Sequence, residues 1–291
     1  MAKITVLLPF YNSTEFLEDA ISSILNQTYS DFELFLLDDG STDSPKIIID
    51  KYNDDRINYF REEENKGIVF QLNKGIDLAS GLYIARMDAD DISYPERFQK
   101  QLEFFENPAN SEIVVLGTDA AEIGFVNEKI IHRNYKPSQI SFLLNFSCPI
   151  LHPTVMFRST VFLNGMRYPD GFQYAEDLAL WRMIDNGRNI AILNEILLDY
   201  RIHGSQTNKD KNRLKIQKDS MTRALELSNQ SKRFFDHRVV FRTNNAVTVS
   251  VNHWFDFSHE EKMGPLLRLI IKYYKRRLKI KSQFLIRITS K

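Results

Sequence analysis

The feature that most constrains this chain is a repeated alternation of short apolar runs and amphipathic segments, with polar clusters where the apolar runs stop. Residues 4–8 form an apolar run ending at Pro9, which reads as a buried strand. Residues 14–27 carry Phe16, Leu17, Ala20, Ile21, Ile24 and Leu25 at helical spacing, with Ser13 or Thr14 available as cap. The pattern then predicts a strand over 32–37, a helix over 47–52, a short strand over 57–60 and a helix over 67–79. A strand over 82–87, a helix over 95–107 with Pro95 near its start, and a strand over 113–117 complete the first half. Such alternation implies an α/β fold: a Rossmann-like, mixed but mainly parallel sheet flanked by helices. Ligands bind such sheets outside the carboxyl ends of the strands. Three polar clusters fall there: Pro9-Phe10-Tyr11-Asn12, Asp38-Asp39-Gly40-Ser41 and Asp88-Ala89-Asp90-Asp91.

The middle of the chain is less regular. A hairpin is expected within 122–135, a strand over 152–158, a helix over 176–186 and one or two strands over 190–200. Beyond a polar stretch at 205–211 the pattern turns helical. The expected organisation is therefore a domain over 1–205, with a regular half (1–117) and a less regular half (118–205), followed by a helical C-terminal region over 206–291. The formal net charge is zero, but residues 264–291 hold nine Lys or Arg and no Asp or Glu, leaving 29 basic against 38 acidic residues before them. That run can form a basic amphipathic helix on an anionic membrane surface, or a terminal helix with a solvated basic face. An acidic body makes nucleic acid an unexpected partner. The lone Cys148 allows no internal disulfide, the opening residues read as a strand rather than a leader, and no run reaches the roughly 18 apolar residues of a spanning helix. A cytoplasmic protein, at most peripheral on a membrane, is the expectation.

Several residues carry candidate chemistry. Asp88 and Asp90, in Asp-x-Asp spacing at a strand end, can face one hard cation such as Mn²⁺ or Mg²⁺ and a bridging diphosphate. Asp91 can be a ligand instead, or a helix cap. A carboxylate after the second strand, at Asp39, can accept a hydrogen bond from the N–H of a planar base, with Tyr11 stacked on or flanking that base. Ser41, Thr42 and Asp43 can instead cap a helix. Glu176-Asp177 opens an apolar helical run; these are either ordinary acids at a helix start or a general base for an acceptor hydroxyl. His203 can complete a metal site or contact phosphate, His152 is a lesser candidate, and Cys148 suits a small buried position. Neither Gly-x-Gly-x-x-Gly nor Gly-x-x-x-x-Gly-Lys-Ser/Thr occurs, which disfavours dinucleotide oxidoreductases and P-loop enzymes.

The ordered set of Val6-Leu7-Leu8-Pro9-Phe10-Tyr11-Asn12, Leu37-Asp38-Asp39-Gly40-Ser41-Thr42-Asp43, Asn65-Lys66-Gly67, Asn73-Lys74-Gly75, Ala85-Arg86-Met87-Asp88-Ala89-Asp90-Asp91, His152-Pro153, Ala175-Glu176-Asp177 with Leu180-Trp181, and Tyr200-Arg201-Ile202-His203 resembles the family-2 glycosyltransferases of GT-A fold. The resemblance covers about residues 3–205. It implies inverting transfer from a nucleotide-sugar donor, usually a UDP-sugar, and would make residues 1–117 a nucleotide-binding half and 118–205 an acceptor half. Asp39 would then read the base, Pro9 and Tyr11 line its pocket, and Asp88 lie near ribose and metal. Asp90 would bind the metal, His203 sit near metal and diphosphate, and Asp177 act as catalytic base. Lys66, Lys74 and Arg86 would assist with phosphate. The family's processive synthases carry several membrane helices and a Gln-x-x-Arg-Trp signature; neither occurs here, which points to single additions onto a glycan or lipid-linked acceptor in bacterial surface polysaccharide or lipid-linked oligosaccharide synthesis. Two rival readings are a non-catalytic nucleotide-sugar-binding module, which would not need Asp177, and a nucleotidyltransferase, which would want a Gly-rich loop after the first strand.

Overall fold

The computed structural model describes residues 2–124, 129–145, 147–203, 211–226, 235–242, 248–255 and 285–290. The chain divides into two compact units, Met1–Gln230 and Ser231–Lys291. The first unit opens with β1 (Ile4–Phe10), α1 (Thr14–Leu25), β2 (Phe32–Asp38), α2 (Lys46–Ile49), β3 (Ile57–Arg61), α3 (Ile68–Leu78) and β4 (Tyr83–Arg86). It continues with β5 (Ile92–Ser93), α4 (Arg97–Glu106), β6 (Val115–Ile123), β7 (Lys129–Ile131), α5 (Pro137–Leu143), β8 (Met156–Arg158), α6 (Glu176–Ile184), β9 (Ile190–Arg201) and α7 (Lys211–Glu226).

These strands form one sheet in the order β3-β2-β1-β4-β8-β6-β9-β5, with β7 beside β6. The run β3-β2-β1-β4 is parallel, as the alternation implies. The register pairs Phe10 with Asp38 and Leu7 with Arg86, so the strand ends line one edge. Strand β8 runs antiparallel to both β4 and β6, and β9 runs parallel to β6. The carboxyl ends of β6 and β9 therefore return to the edge where β1, β2 and β4 end, together with the residues just before β8. Strand β6 crosses the expected boundary at residue 117, so both expected halves share one sheet.

Strands β1 and β2 are buried almost throughout, and their side chains alternate between two cores with the strand period of two. Ile4, Val6, Leu8 and Phe10 of β1, with Leu34 and Leu36 of β2, join one core with Leu17, Ile21 and Ile24 of α1 and Phe98, Leu102 and Phe105 of α4. Leu7, Phe35 and Leu37 face the opposite core, with Leu72 and Ile76 of α3 and Leu178 and Trp181 of α6. A sheet covered on both faces by helices explains why these strands read as continuous apolar runs. Buried polar side chains tie the layers. Gln101 of α4 donates to Leu116 O at 3.0 Å and Thr154 O at 2.9 Å, and Arg97 donates to Arg86 O at 2.8 Å. The predicted strand over 152–158 shortens to β8 because a 3₁₀ turn occupies His152–Thr154, with Pro153 removing a ladder donor.

The C-terminal expectations change. Helix α7 belongs to the first unit, since Ala224 packs in the core that holds Trp181. The break between units thus falls at Gln230 rather than at 205–211. Among the described residues beyond α7, the expected helix is replaced by strands: β10 (Phe235–Arg242), β11 (Thr248–Phe255) and β12 (Leu285–Ser290) form an antiparallel sheet in the order β11-β10-β12. The β-branched and aromatic content of Val239-Val240-Phe241 and of Val249, Val251, Trp254 and Phe255 favours strands. Most of the basic run, residues 264–284, lies outside the described residues. Among the described residues, no helix is long and apolar enough to cross a membrane.

Leu17 is fully buried between α1 and the sheet. Leu17→Ala is expected to lower unfolding free energy by about 2–5 kcal/mol. Urea denaturation measures it, and a loss below about 1 kcal/mol would contradict the packing described.

Candidate active site

The polar clusters seen in the sequence are largely bonded to one another. Asn12 adopts a left-handed φ of 50°, which Asn tolerates, and its Oδ1 accepts from Thr42 N at 2.8 Å. Its own amide donates to Ser41 Oγ at 3.0 Å. The amide that opens α1, Thr14 N, donates to Asp43 Oδ2 at 2.9 Å; Ser13 makes no side-chain cap, so the cap comes from a different loop. Asp38 is fully buried, accepting from Ser41 N and from the Tyr59 hydroxyl at 2.6 Å. Gly40 turns the chain at φ +77°, and a Cβ there would lie 2.7 Å from the backbone of Glu64. This close approach holds the Asp39 loop against the start of α3.

Asp39 is buried, and its carboxylate accepts from Lys66 N and Gly67 N, each at 2.9 Å, and from Gln71 Nε2 at 2.7 Å. Any base contact would add to a carboxylate already oriented by three donors. Pro9 is buried in β1, while Tyr11 is 46% exposed at the rim, free to flank a planar ligand. Lys66 and Lys74, expected near phosphate, both bond Glu62 instead. Nothing in the local sequence singled out Glu62.

The loop after β4 gathers three acidic residues. Asp88, Asp90 and Asp91 each present an oxygen within 4.8 Å of the others. Arg86 is buried and pairs with Asp88. Burial alone would disfavour the guanidinium, but Asp88, Tyr168 and Asp91 outweigh that and hold it charged. Asp90 Oδ2 lies 2.8 Å from His203 Nε2, and His203 also packs 5.0 Å from the Phe16 ring. Asp91 is not a cap of α4. It is buried and accepts Arg201 N at 2.8 Å, fastening the end of β9 to the acidic loop, and Arg201 also donates to Asp90 O at 2.7 Å. Burial, reinforced by Asp88 and Asp90, drives the Asp91 carboxyl well above the usual carboxylate range, and its Oδ2 is buried with no hydrogen-bond donor. Three crowded carboxylates, one with an orphaned oxygen, and an imidazole fit a hard divalent cation.

Asp177 enters this same field. Its charge acts on Asp88, and both act on the buried Tyr168 phenol. Tyr168 bonds His152 Nε2 at 2.7 Å, so the buried His152 orients a tyrosine; burial and Arg86 push its pKa well below normal and keep it neutral. Asp177 Oδ1 accepts its neighbour Leu178 N at 2.7 Å, and Oδ2 accepts the Cys148 thiol at 3.2 Å. Burial raises the Asp177 carboxyl while these two bonds pull it back. Burial and Asp177 raise the thiol well above its normal value, so Cys148 stays a protonated donor. Cys148→Ala is therefore expected to raise the Asp177 pKa and Cys148→Ser to restore it. Carboxyl-carbon NMR titration reads this directly, and identical values in all three proteins would dismiss the bond.

Glu176 is 8% exposed, with Oε2 buried and unpartnered. Burial, then the Asp177 charge, pushes its carboxyl from 4.5 up to about 7. A carboxyl raised on folding stabilises the protein below its unfolded pKa and loses that contribution as pH rises to the folded value. Glu176 thus withdraws stability between pH 4.5 and about 7, and Asp88, Asp91 and Asp177, raised in the same way, add to the slope. Chelator-treated protein should unfold at lower urea near pH 8 than near pH 5, and Glu176→Gln should flatten the difference. An unaltered slope would count against the burial of this carboxyl.

Comparison with known proteins agrees with this architecture. The family model described as Glycosyl transferase family 2 matches residues 5–164. An uncharacterized glycosyltransferase of Haemophilus influenzae is 32% identical over 217 residues, covering 70% of this chain and 67% of its own. The O-antigen biosynthesis glycosyltransferase WbnJ of Escherichia coli is 34% identical over 214 residues, covering 71% of this chain and 82% of its own. Other relatives are longer: the match spans 33% of an uncharacterized glycosyltransferase of Rickettsia felis. Among solved structures, S. aureus TarS 1–349 in complex with UDP-GlcNAc has a TM-score of 0.61 at 17% identity, over 78% of this chain and 73% of that one. Mannosyltransferase PcManGT from Pyrobaculum calidifontis in complex with GDP-Man and Mn²⁺ has a TM-score of 0.55 at 17% identity, over 70% and 58% respectively. At such identity the structural likeness establishes the fold alone. With a family match spanning more than half the chain and relatives above 30% identity, the protein is a glycosyltransferase of family 2, built on the GT-A fold.

Proposed function

We propose that this chain transfers a sugar, with inversion, from a nucleotide-sugar donor to an acceptor hydroxyl, and that the donor is a UDP-sugar. The observation that carries the reading is the common electrostatic field of Asp177 and the Asp88–Asp90–Asp91 group at one sheet edge. Asp39 and Tyr11 follow the neighbouring ends of β2 and β1 and suit base recognition, with Pro9 buried near the end of β1. The solved GT-A neighbours are complexes with UDP-GlcNAc and with GDP-Man and Mn²⁺, which supports a nucleotide-sugar donor and a divalent cation. The E. coli relative acts in O-antigen biosynthesis, which supports a surface-polysaccharide or lipid-linked acceptor.

In this reading Asp88, Asp90 and His203 would hold Mn²⁺ or Mg²⁺, with Asp91 behind them. When bound, the ion supplies positive charge that stabilises the departing diphosphate. Asp177 takes the proton of the acceptor hydroxyl as its oxygen bonds the anomeric carbon and the bond to the diphosphate breaks from the opposite face. A carboxyl raised by burial is a stronger base than a solvated one, so its environment suits the task. Arg86 neutralises Asp88 and keeps like charges together, a role distinct from the phosphate contact expected of it; Lys66 and Lys74 would have to leave Glu62 to reach phosphate. A cytoplasmic location with the basic C-terminal run against an anionic membrane belongs to the same proposal, and rests on charge alone.

A panel of UDP-, GDP- and dTDP-sugars with Mn²⁺ should yield released nucleoside diphosphate with at least one donor, and no release would remove the reading. Asp177→Asn should keep donor affinity by calorimetry while turnover falls about 10²–10⁴-fold. Near-normal turnover in that variant would take the base role from Asp177.

A further inference from the structure

Strand β7 returns beside β6 with Ile131 opposite Ala120, which brings the following residues back over buried Asp119. Asp119 Oδ1 accepts Arg133 N at 2.6 Å, and Oδ2 meets His132 Nδ1 at 2.9 Å. Both oxygens are occupied, and neither binds the Arg133 guanidinium. Among the described residues that guanidinium has no hydrogen bond or carboxylate partner, and its Nε is buried with its donor unused. The other cations near the site hold carboxylate partners: Arg86 pairs with Asp88 through Nη2, its Nε and Nη1 being buried and unbonded, Lys66 and Lys74 pair with Glu62, and Arg201 pairs with Asp19 and donates to Asp90 O. Arg133 is also well located. Its charge acts on Cys148, whose thiol donates to Asp177, and Tyr135 and Cys148 pack against the same core.

A buried N–H without an acceptor costs free energy unless a ligand completes it. A guanidinium fork matches a phosphate or carboxylate by paired, charge-assisted bonds. We propose that Arg133 recognises an oxyanion on the acceptor, a phosphate or a carboxylate, and so makes this enzyme selective for anionic acceptors. The inference rests on the glycosyl-transfer reading only for the word acceptor; the oxyanion site stands on the geometry of Arg133.

The test uses the full chain with ¹⁵N-labelled arginine side chains, the Arg133 Nε signal being assigned by its loss in Arg133→Lys. Inorganic phosphate, D-glucuronate, D-glucose and UDP with Mn²⁺ are titrated separately. Phosphate, glucuronate or both should move the Arg133 signal and glucose should not; which anion binds more tightly identifies the acceptor's charge. Arg133→Gln should weaken that binding about tenfold or more, while Arg133→Lys retains part of it. If no anion moves the signal, or if UDP moves it as fully as phosphate does, the assignment falls, in the second case because the residue would serve the donor. The readout requires no turnover, so failure of anion binding and failure of glycosyl transfer are observed independently.

Discussion

Everything at the working edge of this protein depends on keeping like charges together in a partly buried place. Asp88, Asp90, Asp91, Glu176 and Asp177 would repel one another and lose hydration, and burial raises the carboxyls of Asp88, Asp91, Glu176 and Asp177. The fold answers with a buried cation, Arg86, whose field reaches Asp88, Asp91, Glu176, Asp177, Tyr168 and His152. Arg86 is held in turn by its place at the end of β4, where its amide donates to Val155 O at 2.9 Å and its carbonyl accepts from Arg97. What Arg86 leaves uncompensated suits a divalent cation, and that surplus of negative charge is the physical basis for expecting one.

A second theme is that loops at the strand ends hold each other. Asn12 binds the Ser41-Thr42 turn, Asp43 caps α1, Asp39 gathers the amides that open α3, and Asp91 fastens the end of β9. Irregular segments usually carry the mobility of a protein. Here each is cross-linked to a neighbour by a side-chain hydrogen bond, which presents site groups in fixed directions.

Much of the first half was legible from the chain alone. The apolar runs, the helical spacing of Leu17, Ala20, Ile21 and Ile24, and the polar clusters at strand ends all agree with β1 to β4 and α1, α3 and α4. Local pattern failed where a pairing partner decided the outcome. His152 looked like the start of a strand, but Pro153 and the Tyr168 bond set it in a 3₁₀ turn. The region after Ser205 looked helical, yet beyond α7 its described segments pair as strands, because strand propensity is realised only through pairing across the sheet.

For this protein the sequence by itself determined the α/β alternation, the family motifs and the acidic residues proposed to carry chemistry. These depend on residue type and spacing, which are local. Tertiary structure alone decided which charges are spent and which are left over. Lys66 and Lys74 are taken by Glu62, Asp39 is filled by amides, Cys148 touches Asp177, and Arg133 keeps an unused donor. The reason is that hydrogen bonding and ion pairing act over about 3 Å between atoms that can be a hundred residues apart, a distance no periodicity encodes.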